Sequence, residues 1–167
     1  MASSQKYHLR RTEKEMPNQA EHLAVVRSQK FLTMALANGN EPYLVTMNYA
    51  FSEPENCFYV HCATGGKKID FLRRNPRFWG QIVQDRGYAA GDCSHNYRSV
   101  MFEGQVEFVE TEAELRRALE LMIDQLEPEP QKVKKKMLAR KLAGVAVLRL
   151  RVESMTGKQS PAPKNSG

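Results

Sequence analysis

The chain has 167 residues, 41% of them apolar and 26% charged, which is ordinary globular composition, excludes a disordered chain and allows one domain with a real core. Its 25 lysines and arginines exceed its 19 acidic residues, for a net charge of +6, so a phosphorylated cofactor, an anionic substrate and nucleic acid all remain open as partners. No apolar run is long enough to span a bilayer, and the polar N-terminus lacks the apolar core of a secretory signal.

Residues 1–16 read as an extended arm. Asn18, with Glu21 three places on, has the form of a capping box and predicts a short helix over 19–28. Residues 30–37 read as a strand, and Asn38-Gly39 is a hairpin turn signal. A second strand follows over 43–51, then a turn at 53–56 and a third strand over 57–63, dense in aromatic and β-branched residues. Thr64-Gly65-Gly66 breaks the pattern, and residues 67–74 read as a helix that Asn75-Pro76 ends. A strand over 77–84, a loop over 87–95 and a long strand over 96–109, bent near Gly104, come next. Thr111 and Glu114 form a second capping box, and Leu115, Leu119, Met122, Ile123 and Leu126 give the helix behind it one apolar stripe. Residues 131–142 form a basic helix, 145–152 a last strand, and 158–167 a disordered tail; a single domain fills 1–157.

Six strands, mostly in hairpins, argue against a doubly wound parallel sheet and for an antiparallel barrel with flanking helices. The cysteines at 57, 62 and 93 show no CxxC spacing, so they read as reduced thiols of a cytoplasmic protein rather than zinc ligands. Lys132, Lys134, Lys135, Lys136, Arg140 and Lys141 read as a solvated helix face, and few aromatics interleave with them, which argues against nucleic acid.

Residues 59–68 are the most informative stretch. A strand ends, two glycines follow, and a helix begins at Lys67 and Lys68. Free N–H groups at a helix start and ammonium groups beside them suit a phosphate monoester. The GxxxxGK[ST] spacing of a nucleotide-hydrolase loop is absent. His61 stands at the same strand end, either to join such a site or as an ordinary strand histidine. Tyr97, Arg98 and Ser99 offer a ring, a guanidinium and a hydroxyl in a row, or serve simply as strand residues. Trp79 suits core or interface. No Ser-His-Asp set and no metal-ligand spacing is present.

These segments together resemble the pyridoxamine-phosphate-oxidase-like FMN-binding split barrels, and more narrowly their nitroimidazole-resistance (Nim) branch. Five motifs carry the resemblance: Pro42-Tyr43-x-Val45-x-x-x-Tyr49, Tyr59-x-His61-x-Ala63-x-x-Gly66-x-Lys68, Asp70-x-x-x-Arg74-Asn75, Tyr97-Arg98-Ser99-Val100 with Gly104, and Met155-Thr156-Gly157-Lys158. The resemblance implies a six-stranded antiparallel Greek-key split barrel and a homodimer with FMN between subunits. It places Val45, Thr46, Met47, Asn48 and Tyr49 along the isoalloxazine ring, largely through backbone groups. His61, Ala63, Lys67 and Lys68 fall near the ring edge, ribityl chain and phosphate, with Lys68 ahead of Lys67, and Tyr97, Arg98 and Ser99 complete the phosphate pocket. Thr46 stands where many relatives have proline, and Val60 where a phenylalanine is common. The implied function is an FMN-dependent oxidoreductase that takes electrons from a donor such as a reduced nicotinamide. Its acceptor would be small and planar, for example a 5-nitroimidazole, with His61 as candidate catalytic residue. The alternative is a flavin-binding or carrier protein without turnover.

Overall fold

The computed structural model describes residues 10–138, 142 and 144–160. After a 3-10 turn at Thr12–Lys14 come β1 (Glu15–Met16), α1 (Gln19–Ser28), β2 (Phe31–Asn38), β3 (Glu41–Asn48), β4 (Ala50–Ser52) and β5 (Cys57–Ala63). There follow α2 (Lys67–Arg74), β6 (Arg77–Ala89), β7 (Ser94–Phe108), α3 (Glu112–Leu126), α4 (Pro130–Leu138) and β8 (Val145–Gln159). The strands form one antiparallel sheet in the order β3-β2-β6-β7-β8-β5-β4, with β1 added beside β8. Residues 1–9 of the expected arm, Arg140 and Lys141 of the basic cluster and 161–167 of the expected tail lie outside the described residues.

The expectation of a six-stranded Greek-key split barrel is corrected by this topology. Eight strands are present, and the sheet is open: β3 and β4 end its path, with no ladder between them among the described residues. The extra strands have local causes. Tyr49 leaves the expected strand 43–51, because its hydroxyl donates to the Val26 carbonyl oxygen of α1 at 2.6 Å, and so splits β3 from β4. Two residues of the arm pair with β8 through Glu15–Lys158 and Met16–Gly157, which makes β1 and carries β8 on to Gln159. The expected loop 87–95 contracts to a tight turn, since β6 and β7 stay paired as far as Ala89–Ser94.

Alternate residues of the strands meet in one core. Phe58 sits at its centre, fully buried, with ring centroids 4.4 Å from Phe102, 4.8 Å from Phe51 and 5.3 Å from Tyr49. The outer face of β5 is buried too, since Cys57 and Tyr59 pack with Val147 under Ala118 and Leu119 of α3. Apolar burial on both faces explains why β5 reads as a continuous run rather than an alternation. The α3 helix starts as expected, with Thr111 Oγ1 accepting from the Glu114 N–H at 3.3 Å. At α1 the Asn18 side chain makes no cap bond, and its backbone carbonyl takes the Glu21 N–H instead. The bend expected near Gly104 is a register shift against β8, where a Cβ would run into the Arg151 carbonyl oxygen. Among the described residues, no helix is long and apolar enough to cross a membrane.

Candidate functional site

The β5–α2 corner is built by its glycines. Gly66 has φ +112°, a conformation that L side chains rarely adopt, and it precedes α2 without any side-chain cap. The Asp70 N–H closes the first turn on the Gly66 carbonyl oxygen at 3.1 Å. The first amides of α2 therefore remain donors with no capping side chain, at the positive end of the helix dipole.

Lys67 and Lys68 are neighbours in sequence but do different work. Lys67 folds back over the rings of Tyr43 and Phe71, 5.1 and 5.2 Å from their centroids, and pairs with Glu41 at 2.7 Å. Lys68 turns inward and is half-buried. Its Nζ lies 3.3 Å from Met47 Sδ, a weak acceptor, and no carboxylate pairs with it among the described residues. Its positive charge also acts on His61 and Cys62. Partial burial of the His61 ring, then the Lys68 ammonium, hold the imidazole pKa below the ordinary histidine value. At Cys62 burial raises the thiol pKa and Lys68 opposes that rise. The corner thus brings His61, Lys68 and Met47 together, with Ala63 at the exposed end of β5. An ammonium with no counter-ion among the described residues, beside uncapped helix amides, is a donor set that fits a phosphate ester.

Val45 and Met47 of β3 turn toward the core, whereas Thr46 and Asn48 are exposed. Thr46 Oγ1 lies 3.0 Å from Thr33 Oγ1, and Asn48 donates to the Lys30 carbonyl oxygen at 3.0 Å. Tyr49 is buried, and burial raises its phenol pKa. Tyr97, Arg98 and Ser99 do not join the corner. They run beside Lys158, Gln159 and Ser160, eleven to thirteen residues beyond Val147, the cross-strand partner of His61. Arg98 donates to Gln159 at 3.0 Å, and Ser99 is buried. No described hydrogen bond links the triplet to His61 or Lys68.

Of a third feature the sequence reading named Trp79 alone. Phe31, Leu44, Trp79, Val83 and Met101 are large, apolar and exposed, and they lie on one outer face of β2, β3, β6 and β7. The signal was present, since Phe31 and Ala35 alternate with the buried Leu32, Met34 and Leu36, which gives β2 two apolar faces.

A family model described as pyridoxamine 5'-phosphate oxidase matches residues 18–159. The chain belongs to that family. No curated protein matches it. Solved structures share the fold. One is a candidate 5-nitroimidazole antibiotic resistance protein of Bacteroides thetaiotaomicron, 22% identical over 87% of this chain and 86% of that one, with TM-score 0.71. The flavocytochrome Anf3 of Azotobacter vinelandii is 18% identical over 96% of this chain and 76% of its own, with TM-score 0.81. An FAD-binding protein of Mesorhizobium loti is 23% identical over 86% and 95%, with TM-score 0.61.

Proposed function

We propose that the protein is an FMN-dependent oxidoreductase that works as a homodimer, with FMN at the subunit interface. Electrons pass from a donor such as a reduced nicotinamide to a small planar acceptor, a nitroaromatic such as a 5-nitroimidazole among them. The observation that carries this reading is the Lys68 corner: a half-buried ammonium with no carboxylate partner among the described residues, beside uncapped helix amides, in a chain of the pyridoxamine 5'-phosphate oxidase family. Lys68 and the α2 amides hold the phosphate. Lys67, spent on Glu41, contributes only to the field around it.

The β3 strand suits the flat ring. The hairpin with β2 turns through two residues between Asn38 and Glu41, so alternate β3 residues direct their backbone groups away from β2. Leu44, Thr46 and Asn48 fall on that open edge, free to meet the polar rim of an isoalloxazine. Bound FMN supplies the electron transfer, and the protein supplies position and electrostatics. His61, neutral near pH 7, is placed to contact the ring or the acceptor.

The second copy covers the apolar face around Phe31, Leu44 and Trp79. It also supplies the Tyr97-Arg98-Ser99 triplet that one protomer holds away from its own corner. The test is release and identification of the chromophore from purified protein, with sedimentation, followed by turnover with reduced nicotinamides and a panel of nitroaromatics and quinones. FMN at about one per subunit, in a dimer with turnover, supports the whole reading. FMN without turnover leaves the flavin-carrier reading, and a colourless protein that takes up no added FMN overturns both.

A further inference from the structure

A cleft opens between the end of α1, β4 with its following turn, and α3. It shares only Tyr49 with the residues of the flavin reading. Its volume is about 700 Å3, within the usual range for small-molecule sites. Val26, Tyr49 and Phe51 form its buried floor, and Leu121 and Leu126 its wall. The Tyr49 hydroxyl and the Phe51 backbone in the floor are already used. The Tyr49 hydroxyl donates to the Val26 carbonyl oxygen at 2.6 Å. Gln125 plays the part of a neighbouring strand: its Oε1 accepts the Phe51 N–H at 2.9 Å and its Nε2 donates to the Phe51 carbonyl oxygen at 3.0 Å. The floor therefore offers carbon and aromatic surface, and an apolar body seated there strands neither the tyrosine hydroxyl nor the Phe51 amide and carbonyl.

The charges around the cleft cancel in pairs, with one exception. Arg27 pairs with Glu53, Arg117 with Glu55 at 2.8 Å, and Asp124 with Lys134 at 2.7 Å. Glu120, half-buried in the α3 wall between Arg117 and Asp124, has no ion-pair or hydrogen-bond partner among the described residues. One uncompensated carboxylate over an apolar, aromatic floor complements one kind of small molecule. We propose that this cleft is a ligand site for an organic monocation with an aromatic body. Its ammonium end meets Glu120, and its ring lies on Val26, Tyr49 and Phe51.

Calorimetry on the full chain tests this with 1-naphthylmethylammonium as probe, against 1-naphthylmethanol and 1-naphthoate as its neutral and anionic counterparts. Heteronuclear NMR of the Gln125 side-chain amide reports the location. The expected result is saturable binding at one site in the order cation, alcohol, carboxylate, with the Gln125 amide shifted. Glu120→Gln lowers affinity for the cation about five- to tenfold and leaves the alcohol unchanged. Leu121→Trp, which fills the cleft from its wall, abolishes binding of all three with circular dichroism intact. Equal affinity for cation and carboxylate, an unaltered Glu120→Gln, an unmoved Gln125 amide, or no binding at millimolar probe would each overturn the proposal.

Discussion

Two charged regions of this molecule are built on opposite plans. Under α3, every charge of the network around Tyr59 is used. The Tyr59 hydroxyl donates to Glu55 at 3.2 Å and accepts from Arg117 at 2.9 Å and Arg149 at 3.2 Å. Both guanidinium groups also lie over its ring, at 5.6 and 5.8 Å from the centroid. Arg149 pairs with Glu114 and Glu107, and Arg117 with Glu55. Burial raises the Tyr59 pKa, so the phenol stays neutral within this ring of charge. At the β5–α2 corner the Lys68 ammonium has a thioether for company. The first region fastens a helix to the sheet. The second leaves a half-buried cation with no carboxylate partner among the described residues.

If the first plan is structural, truncating its hub costs folding free energy. Tyr59→Ala removes a fully buried ring and leaves two arginines short of an acceptor. A loss of about 3–5 kcal/mol in urea denaturation is expected. A loss under about 1 kcal/mol would show that the network is ornamental to stability. Lys68→Met sharpens the contrast from the other side. It removes a half-buried charge whose bond to the fold is the weak one to Met47 Sδ, so stability should move by less than about 1 kcal/mol. FMN affinity should fall at least about tenfold, as for loss of a charge-assisted bond to phosphate. If Lys68→Met instead destabilised the chain while FMN affinity held, the two regions would have exchanged roles.

The corner was legible in sequence because its determinants are local. A strand end, two glycines and the start of a helix lie within ten residues, and the left-handed φ of Gly66 confirms what the pair of glycines announced. Choosing between Lys67 and Lys68 needed more. Adjacent helical residues point about 100° apart, and Glu41, Tyr43 and Phe71 decide which of the two is drawn aside. The sheet was read less well. The polar run Glu153-Ser154 and Thr156 carries no apolar alternation to mark a strand, yet β8 continues through it on backbone pairing with β7 and β1. Nor could periodicity reveal that a tyrosine hydroxyl would pull Tyr49 out of line. Closure of the sheet depends on long-range geometry to which no local pattern bears witness.

The smallest effect concerns acid. The Arg117 side chain bonded to Glu55 holds that carboxyl well down, from 4.5 to about 2, with Ser52 and Tyr59 assisting and burial opposing. A depressed carboxyl contributes its stability above the unfolded pKa and loses it as pH falls through the folded one. The window therefore runs from about pH 4.5 down to about pH 2. Because a third of the Glu55 side chain is exposed, at 34%, solvent screens the pair, and a contribution of about 1 kcal/mol is expected rather than the full value of the shift. Denaturation of the wild type and Glu55→Gln across that window reads it directly. The gap between the two should close by about pH 2, because the glutamine cannot lose a charge. A gap that stayed constant would mean that Arg117 and Tyr59 hold α3 by hydrogen bonding alone, and the network under α3 would owe nothing to its charge.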